Sequence, residues 1–473
     1  MGHTARVTRA TAAVMRLPLA LIVITAGLLV RLPRLFLITL WADEYHTIRV
    51  LRLPLASIVA GDYIDLNPPL YFLLLLGYSQ LVGGAEIALR SFSLIFATLS
   101  LLLTFLIGLE LWRSRLAAAA ATSILAFNPL WIYYATEIRS YALLGFLSLL
   151  SLLSYLRMRH GSRPTLGWAI LLALSIAACG YTHHFGLLTA GVVGIFGLVD
   201  LASAERRRWA IRGLSATVGG LILYTPGLLL VKQRLEELSP PDAASRIPIS
   251  DIFTIFTLSF HHPWYEPLMI VVATLALAVG LVSALAEPTT RRAALALGLA
   301  LAACAGVAVA ANLAQINISR RYLLHVASLS FILLGATMLP EGAGWRRLAR
   351  LVGALAIGLY LIYGLDFAAH YGQENRIALF KADWRAVSQV IAAQSLPDEP
   401  YVIMGWDATP VQYYLGKSAI NSTQLNSELA TNARPSYLIV MSRYGLTPPN
   451  LAQAELIYED PVAAVRLLRL RTR

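Results

Sequence analysis

The sequence predicts a mainly α, polytopic transmembrane helical bundle of about 11 crossings plus interfacial helices, followed by a small C-terminal α/β extracytoplasmic domain. Three observations lead there. Of 473 residues, 58% are hydrophobic and only 14% charged, whereas soluble domains carry roughly a quarter charged residues. Several stretches, among them 88–109, 186–203 and 347–365, supply the ~20 apolar residues that a membrane-crossing helix requires. The cations of this +12 chain gather in short loops between those stretches. That is the pattern of a topology signal, so nucleic acid is excluded as the partner.

Arg6, Arg9 and Arg16 place the N-terminus in the cytoplasm. The first helix, about 14–33, is read as uncleaved because no small-residue cleavage site follows it. The other basic loops are Arg113/Arg115, Arg157–Arg163, Arg206–Arg212, Arg291/Arg292 and Arg346–Arg350. They fall on one side if helices lie near 88–110, 116–134, 140–157, 165–182, 186–203, 211–231, 267–286, 293–312, 321–340 and 347–365. The stretch 68–84 (PPLYFLLLLGYSQLVGG) is apolar over only 17 residues. As a crossing it would turn every later basic loop outward, so it is placed as a re-entrant or interfacial helix on the outer face. Cys179 and Cys304 lie inside apolar runs and read as small buried side chains. The bundle ends near 365. Residues 366–473 read as helix (DWRAVSQVIAAQ), strand (YVIMGWD), helix (ATPVQYYLG) and three strands (SYLIVMS, AELIYE, VRLLRL).

With this threading the distinctive polar clusters share the outer face. They are WADEYHTIR (41–49), DLNPPLYF (65–72), Arg90, TEIRSY (136–141), THH (182–184), the loop 232–266 ending in HHPWYE, and ISRRY (318–322). Helix interiors hold almost no ionisable residue, His325 being the nearest case. An ion-coupled transporter places such groups at the midplane, so the pattern favours a site for a lipid-borne substrate with its polar head at the interface. Moving a sugar off a polyprenyl phosphate needs a carboxylate base for the acceptor hydroxyl and cations for the leaving phosphate. Asp43 and Glu44 are the candidate catalytic acids, and Arg139, Arg320, Arg321 and Arg90 the candidate clamp.

WADE after the first helix, NPPLYFLLL, ALRSFSLIFA (88–97), YYATEIRSYALL (133–144) and RRYLLHVASLSFILLGA (320–336) stand in this order. In that order the chain resembles the GT-C membrane glycosyltransferases over roughly 14–340, most closely the protein O-mannosyltransferases and the bacterial lipid A aminoarabinose transferase. The resemblance implies an inverting transfer on the non-cytoplasmic side from a polyprenyl-phosphate sugar, with Asp43 as base and Glu44 in support. It implies a substrate-binding set of Asn67, Arg90, Glu137, Arg139, Tyr141, Arg320, Arg321 and Tyr322. Where the family has His-Pro-Pro this chain has Asn67-Pro68-Pro69, and His325 stands where Pro often follows the Arg-Tyr element.

Each feature also has a plainer reading. Asp43 and Glu44 suit the first turn of an interfacial helix, and Arg320/Arg321 suit interfacial anchors. Glu137 and Arg139 are close enough in sequence to pair with each other. His183/His184 and His261/His262 lack a recognised metal-ligand spacing, and Trp131, Tyr133 and Tyr134 read as an aromatic belt. No cofactor is assigned, although a divalent cation beside Asp43 and the phosphate is compatible with the chemistry. The partners are the donor lipid, membrane lipid and a protein, lipid or glycan acceptor, in the cell (inner) membrane. A lipid-linked saccharide transporter or flippase is the rival class, and it would tolerate loss of Asp43; a non-catalytic assembly protein is the third.

Overall fold

The computed structural model describes residues 17–63, 65, 67–158, 165–230, 265–314, 320–339, 344–370, 383–396, 399–404, 408–420, 425, 427, 431, 436–441, 454–460 and 465–471. These fall into two compact units, Met1–Pro33 with Pro54–Ala368, and Arg34–Leu53 with Ala369–Arg473. The sequence places the boundary near 365; the units differ from that division in the segment Arg34–Leu53, which groups with the C-terminal residues.

The first unit is helical. Its long elements are α1 (Leu17–Arg31), α2 (Leu70–Val82), α3 (Glu86–Trp112), α4 (Arg115–Phe127), α5 (Tyr141–Met158) and α6 (Thr165–Thr182). There follow α7 (Leu188–Leu201), α8 (Arg207–Tyr224), α9 (Tyr265–Ala286), α10 (Arg291–Leu313), α11 (Leu324–Gly335) and α12 (Trp345–Ala369). A helix thus forms at each expected crossing. Among the described residues eight segments are long and apolar enough to cross a membrane: Pro18–Leu37, Glu86–Trp112, Tyr141–Met158, His184–Leu201, Pro267–Ala286, Arg291–Leu313, Arg321–Met338 and Trp345–Ala369. Their outward faces are apolar, as in Leu21, Ile22 and Leu29 of α1 or Leu351, Leu355 and Ile362 of α12, all exposed. Water would not tolerate so broad an apolar surface, whereas lipid does. At 13 residues, α2 is ~20 Å long, short of the ~30 Å hydrocarbon core.

Small residues set the helix crossings, since apolar burial does not drive helices together in lipid. The run Ala117–Ala121 of α4 is buried, and a Cβ on Gly335 of α11 would stand 2.4 Å from the Ala117 carbonyl oxygen. The Trp112 indole donates to the Ile332 carbonyl at 2.8 Å, tying α3 to α11. Arg31 is fully buried and donates to the carbonyls of Gly27 (2.6 Å), Ala126 (2.7 Å) and Leu125 (3.1 Å). It thereby satisfies orphan acceptors at the end of α4. The single helix expected over 116–134 is two, α4 and Pro129–Tyr134, because Asn128-Pro129 stops one and starts the next. Asn128 Oδ1 accepts from the Trp131 amide at 3.1 Å, and Pro129 occupies the first turn. Both cysteines are free and buried, as the sequence implies.

The second unit contains helix α13 (Trp384–Gln394) and strands β1 (Tyr401–Met404), β2 (Ser436–Met441), β3 (Glu455–Asp460) and β4 (Val465–Arg471). They form one sheet in the order β1-β2-β4-β3, with β1 and β2 parallel and the other pairs antiparallel. Alternation along β2 divides its side chains: Leu438 and Val440 join Trp384, Val387 and Ile391 of α13 in one core, while Tyr437 and Ile439 join Val402 and Leu470 in another. Asp383 caps α13 by accepting from the Ala386 amide at 3.0 Å. These elements are the ones the C-terminal sequence predicts, except that the ATPVQYYLG helix shortens to Val411–Leu415.

Candidate active site

The stretch 135–140 leaves the Pro129–Tyr134 helix and enters α5 without regular structure. In a buried position its backbone groups need fixed partners, and α3 provides them. Arg90, with no exposed surface, donates to the Thr136 carbonyl at 3.1 Å, while its Nε and second terminal nitrogen donate to Glu86 at 3.2 and 3.1 Å. Ser93 donates to the Glu137 carbonyl at 2.5 Å. Trp131 packs over Gly145 of α5, where an added Cβ would lie 2.3 Å from the indole. Together these contacts deliver Arg139 to Asp65, with which it forms a buried, hydrogen-bonded ion pair. Asp65 also accepts from the Asn67 amide (2.9 Å) and its side-chain nitrogen (2.7 Å), and the Tyr63 hydroxyl donates to the Asn67 carbonyl (2.9 Å). Burial alone would raise the Asp65 carboxyl, but the Arg139 charge and these hydrogen bonds hold it below its ordinary value.

Beside this pair stands a wall of rings. His183 lies 5.1 Å from Tyr322 and 6.3 Å from Tyr141, ring centre to ring centre. The Arg321 guanidinium sits over Tyr322 at 5.4 Å and Tyr141 at 6.0 Å, in cation–π range. His183 Nδ1 accepts from the Phe185 amide at 3.1 Å, which assigns the proton of the neutral ring to Nε2. Burial first, then the neighbouring His325, His184 and Arg139, hold the His183 imidazole well below its ordinary value, so it is neutral at pH 7. His325 is buried one turn beyond Arg321.

In the second unit, Asp43 and Glu44 occupy the first turn of the helix Ala42–Val50. Glu44 is buried and accepts from the Trp41 amide at 3.3 Å, so it caps its own helix. Asp43 is half-buried.

Residues 54–223 match the family model of dolichyl-phosphate-mannose-protein mannosyltransferase. No curated protein matches the chain. Among solved structures, apo ArnT from Cupriavidus metallidurans aligns over 98% of this chain and 98% of its own, with TM-score 0.63 and 16% identity. The same protein bound to undecaprenyl phosphate aligns over 97% and 98%, with TM-score 0.61 and 16% identity. The fold is that of ArnT. The apo oligosaccharyltransferase of Archaeoglobus fulgidus shares it at 12% identity and TM-score 0.55, over 96% of this chain and 74% of that one.

Within the bundle the structure brings together Asn67, Arg139, Tyr141, Arg321 and Tyr322. The Arg139 partner is Asp65, 74 residues away, where the sequence offered Glu137. Arg90 is committed to Glu86 and Thr136, and thus supports the Arg139 segment from behind. Glu137 is buried, with its carbonyl held by Ser93. The Arg320 side chain, His261/His262 and residues 231–264 lie outside the described residues. Trp131, Tyr133 and Tyr134 are buried in the bundle and not an outward belt, because the Asn128-Pro129 break turns their helix into the core. Two residues were not singled out from sequence: Asp65, inside the DLNPPLYF element, and His183 as a neutral wall residue. Among the described residues no three His, Cys, Asp or Glu side chains gather as a metal cluster.

Proposed function

We propose that the chain transfers one sugar from a polyprenyl-phosphate carrier to an acceptor hydroxyl on the extracytoplasmic face of the cell membrane. The observation that carries this reading is the end-to-end likeness to ArnT, one structure of which holds undecaprenyl phosphate, together with buried arginines at one end of the bundle. Arg90 of α3 and Arg113, which caps the end of that helix, are 23 residues apart, ~35 Å at 1.5 Å per residue. The Arg139 segment is tied to the Arg90 end, opposite the basic Arg113/Arg115 loop. The positive-inside rule then assigns the Arg113 end and the N-terminus to the cytoplasm.

In the proposed reaction Asp43 takes the proton of the acceptor hydroxyl as its oxygen attacks the anomeric carbon. The bond from that carbon to the phosphate oxygen breaks, the anomeric centre inverts, and polyprenyl phosphate leaves with its new negative charge. Arg321, backed by two aromatic faces, and Arg139, held by Asp65, receive that charge. The neutral His183 adds a donor at Nε2 without adding a cation. Glu44, as the cap of the Asp43 helix, fixes the base indirectly. The acceptor is a protein, lipid or glycan hydroxyl at the membrane surface.

The test is turnover in nanodiscs with a panel of radiolabelled polyprenyl-phosphate sugars. Wild type is expected to release polyprenyl phosphate from one donor, and Asp43→Asn to be slower by about 100-fold or more. Equal release by the two proteins contradicts the reading.

A further inference from the structure

The Asp43 helix belongs to the same compact unit as the C-terminal sheet, and one side chain bridges the two. The hydroxyl of Tyr414 accepts a hydrogen bond from the Leu40 amide at 2.8 Å, across 374 residues of sequence. Leu40 is fully buried. The next amide, Trp41, donates to Glu44. The two backbone donors immediately before the Asp43 helix are therefore both taken by side chains, one local and one from the C-terminal unit. Tyr414 itself is fixed. It lies in the Val411–Leu415 helix, packs against the core of Trp384, Val387, Ile391, Leu438 and Val440, and has the Arg385 guanidinium over its ring at 5.6 Å. Tyr45, two residues beyond Asp43, is buried as well.

We propose that Tyr414 is a positioning residue for the reaction: its hydroxyl sets the start of the Ala42–Val50 helix, so that the C-terminal unit determines where the Asp43 carboxylate stands. The inference rests on Asp43 being the base. It gives the C-terminal unit a catalytic purpose that does not depend on recognising the acceptor. Removing the hydroxyl leaves the ring packing intact and frees one buried amide, so the backbone ahead of Asp43 gains alternatives while the fold persists.

The experiment compares full-length wild type, Tyr414→Phe and Asp43→Asn in nanodiscs. Amide exchange across 38–41 and donor turnover are both measured. Tyr414→Phe is expected to raise Leu40 exchange about tenfold and to lower kcat about tenfold, one hydrogen bond's worth. KM for the donor stays unchanged, and the melting temperature falls by no more than one lost hydrogen bond accounts for. A purely structural role would lower the melting temperature and leave kcat per folded molecule as it was, which overturns the proposal. Unchanged Leu40 exchange overturns it too, because the bond then holds nothing. Failure of the underlying reading looks different: Asp43→Asn would turn over normally whatever Tyr414→Phe does. An inactive Asp43→Asn beside a fully active Tyr414→Phe removes the positioning role and leaves the base in place.

Discussion

The segment carrying Arg139 and the helix carrying Asp43 are held in place by different kinds of contact. Arg139 sits in irregular backbone clamped from several sides, by Arg90 on the Thr136 carbonyl, Ser93 on the Glu137 carbonyl, Trp131 against Gly145, and Asp65 on the guanidinium itself. Asp43 rides on a regular nine-residue helix that makes its own cap through Glu44 and is tied to Tyr414 just ahead of its start. Physical circumstance explains the contrast. Irregular backbone inside a helical bundle has no water to satisfy it, so each carbonyl needs a protein donor. A short helix satisfies most of its own groups and needs only its first amides met. The Arg139 segment is therefore rigid by construction, and the Asp43 helix is adjustable.

That contrast can be broken most forcefully at Arg90. Arg90→Ala leaves Glu86 in a buried position without its cation, and the expected loss of stability is about 3–5 kcal/mol, read by chemical or thermal unfolding in detergent. A loss below about 1 kcal/mol would mean that the Arg139 segment is not clamped from α3. Gly145→Ala forces the Trp131 ring to shift, with an expected cost of about 1–3 kcal/mol and weaker donor binding. Ser93→Ala leaves the buried Glu137 carbonyl without that donor, at about 1–2 kcal/mol, and the same unfolding assay reports it.

The smallest effect concerns pH. His183 is neutral and buried in the folded state, with its pKa held below the ordinary 6.5. Below pH 6.5 the unfolded chain gains a proton that the folded chain does not. Stability is therefore full above that value and declines as pH falls toward the lowered folded-state pKa, by at most about 1.4 kcal/mol per pH unit. His183→Gln should flatten that part of the stability profile, and an unchanged slope would show that His183 titrates normally.

The bundle and the C-terminal sheet were legible in the sequence because each has its own pattern: apolar runs of membrane length, and short apolar runs of strand length such as Tyr437 to Val440. Features depending on distant pairs were not. Nothing near Asp65 marks it as the partner of an arginine 74 residues on, and the Pro-Pro that follows draws the eye to Asn67. His183 attracted notice as half of an adjacent pair, but its environment comes from Tyr322 and Arg139 on other elements. The Asn128-Pro129 dipeptide is a recognised stop signal, and with it the inward turn of Trp131 could have been read. No local pattern ties Leu40 to Tyr414.

The most direct test of the central claim, that arginines at one end of the bundle hold a lipid-borne phosphate, is equilibrium binding in nanodiscs of undecaprenyl phosphate against undecaprenol. Wild type should prefer the phosphate by about tenfold or more, and Arg321→Gln should lose most of that preference, as expected of charge-assisted hydrogen bonds. Equal binding of the phosphate and the alcohol by wild type would contradict the account.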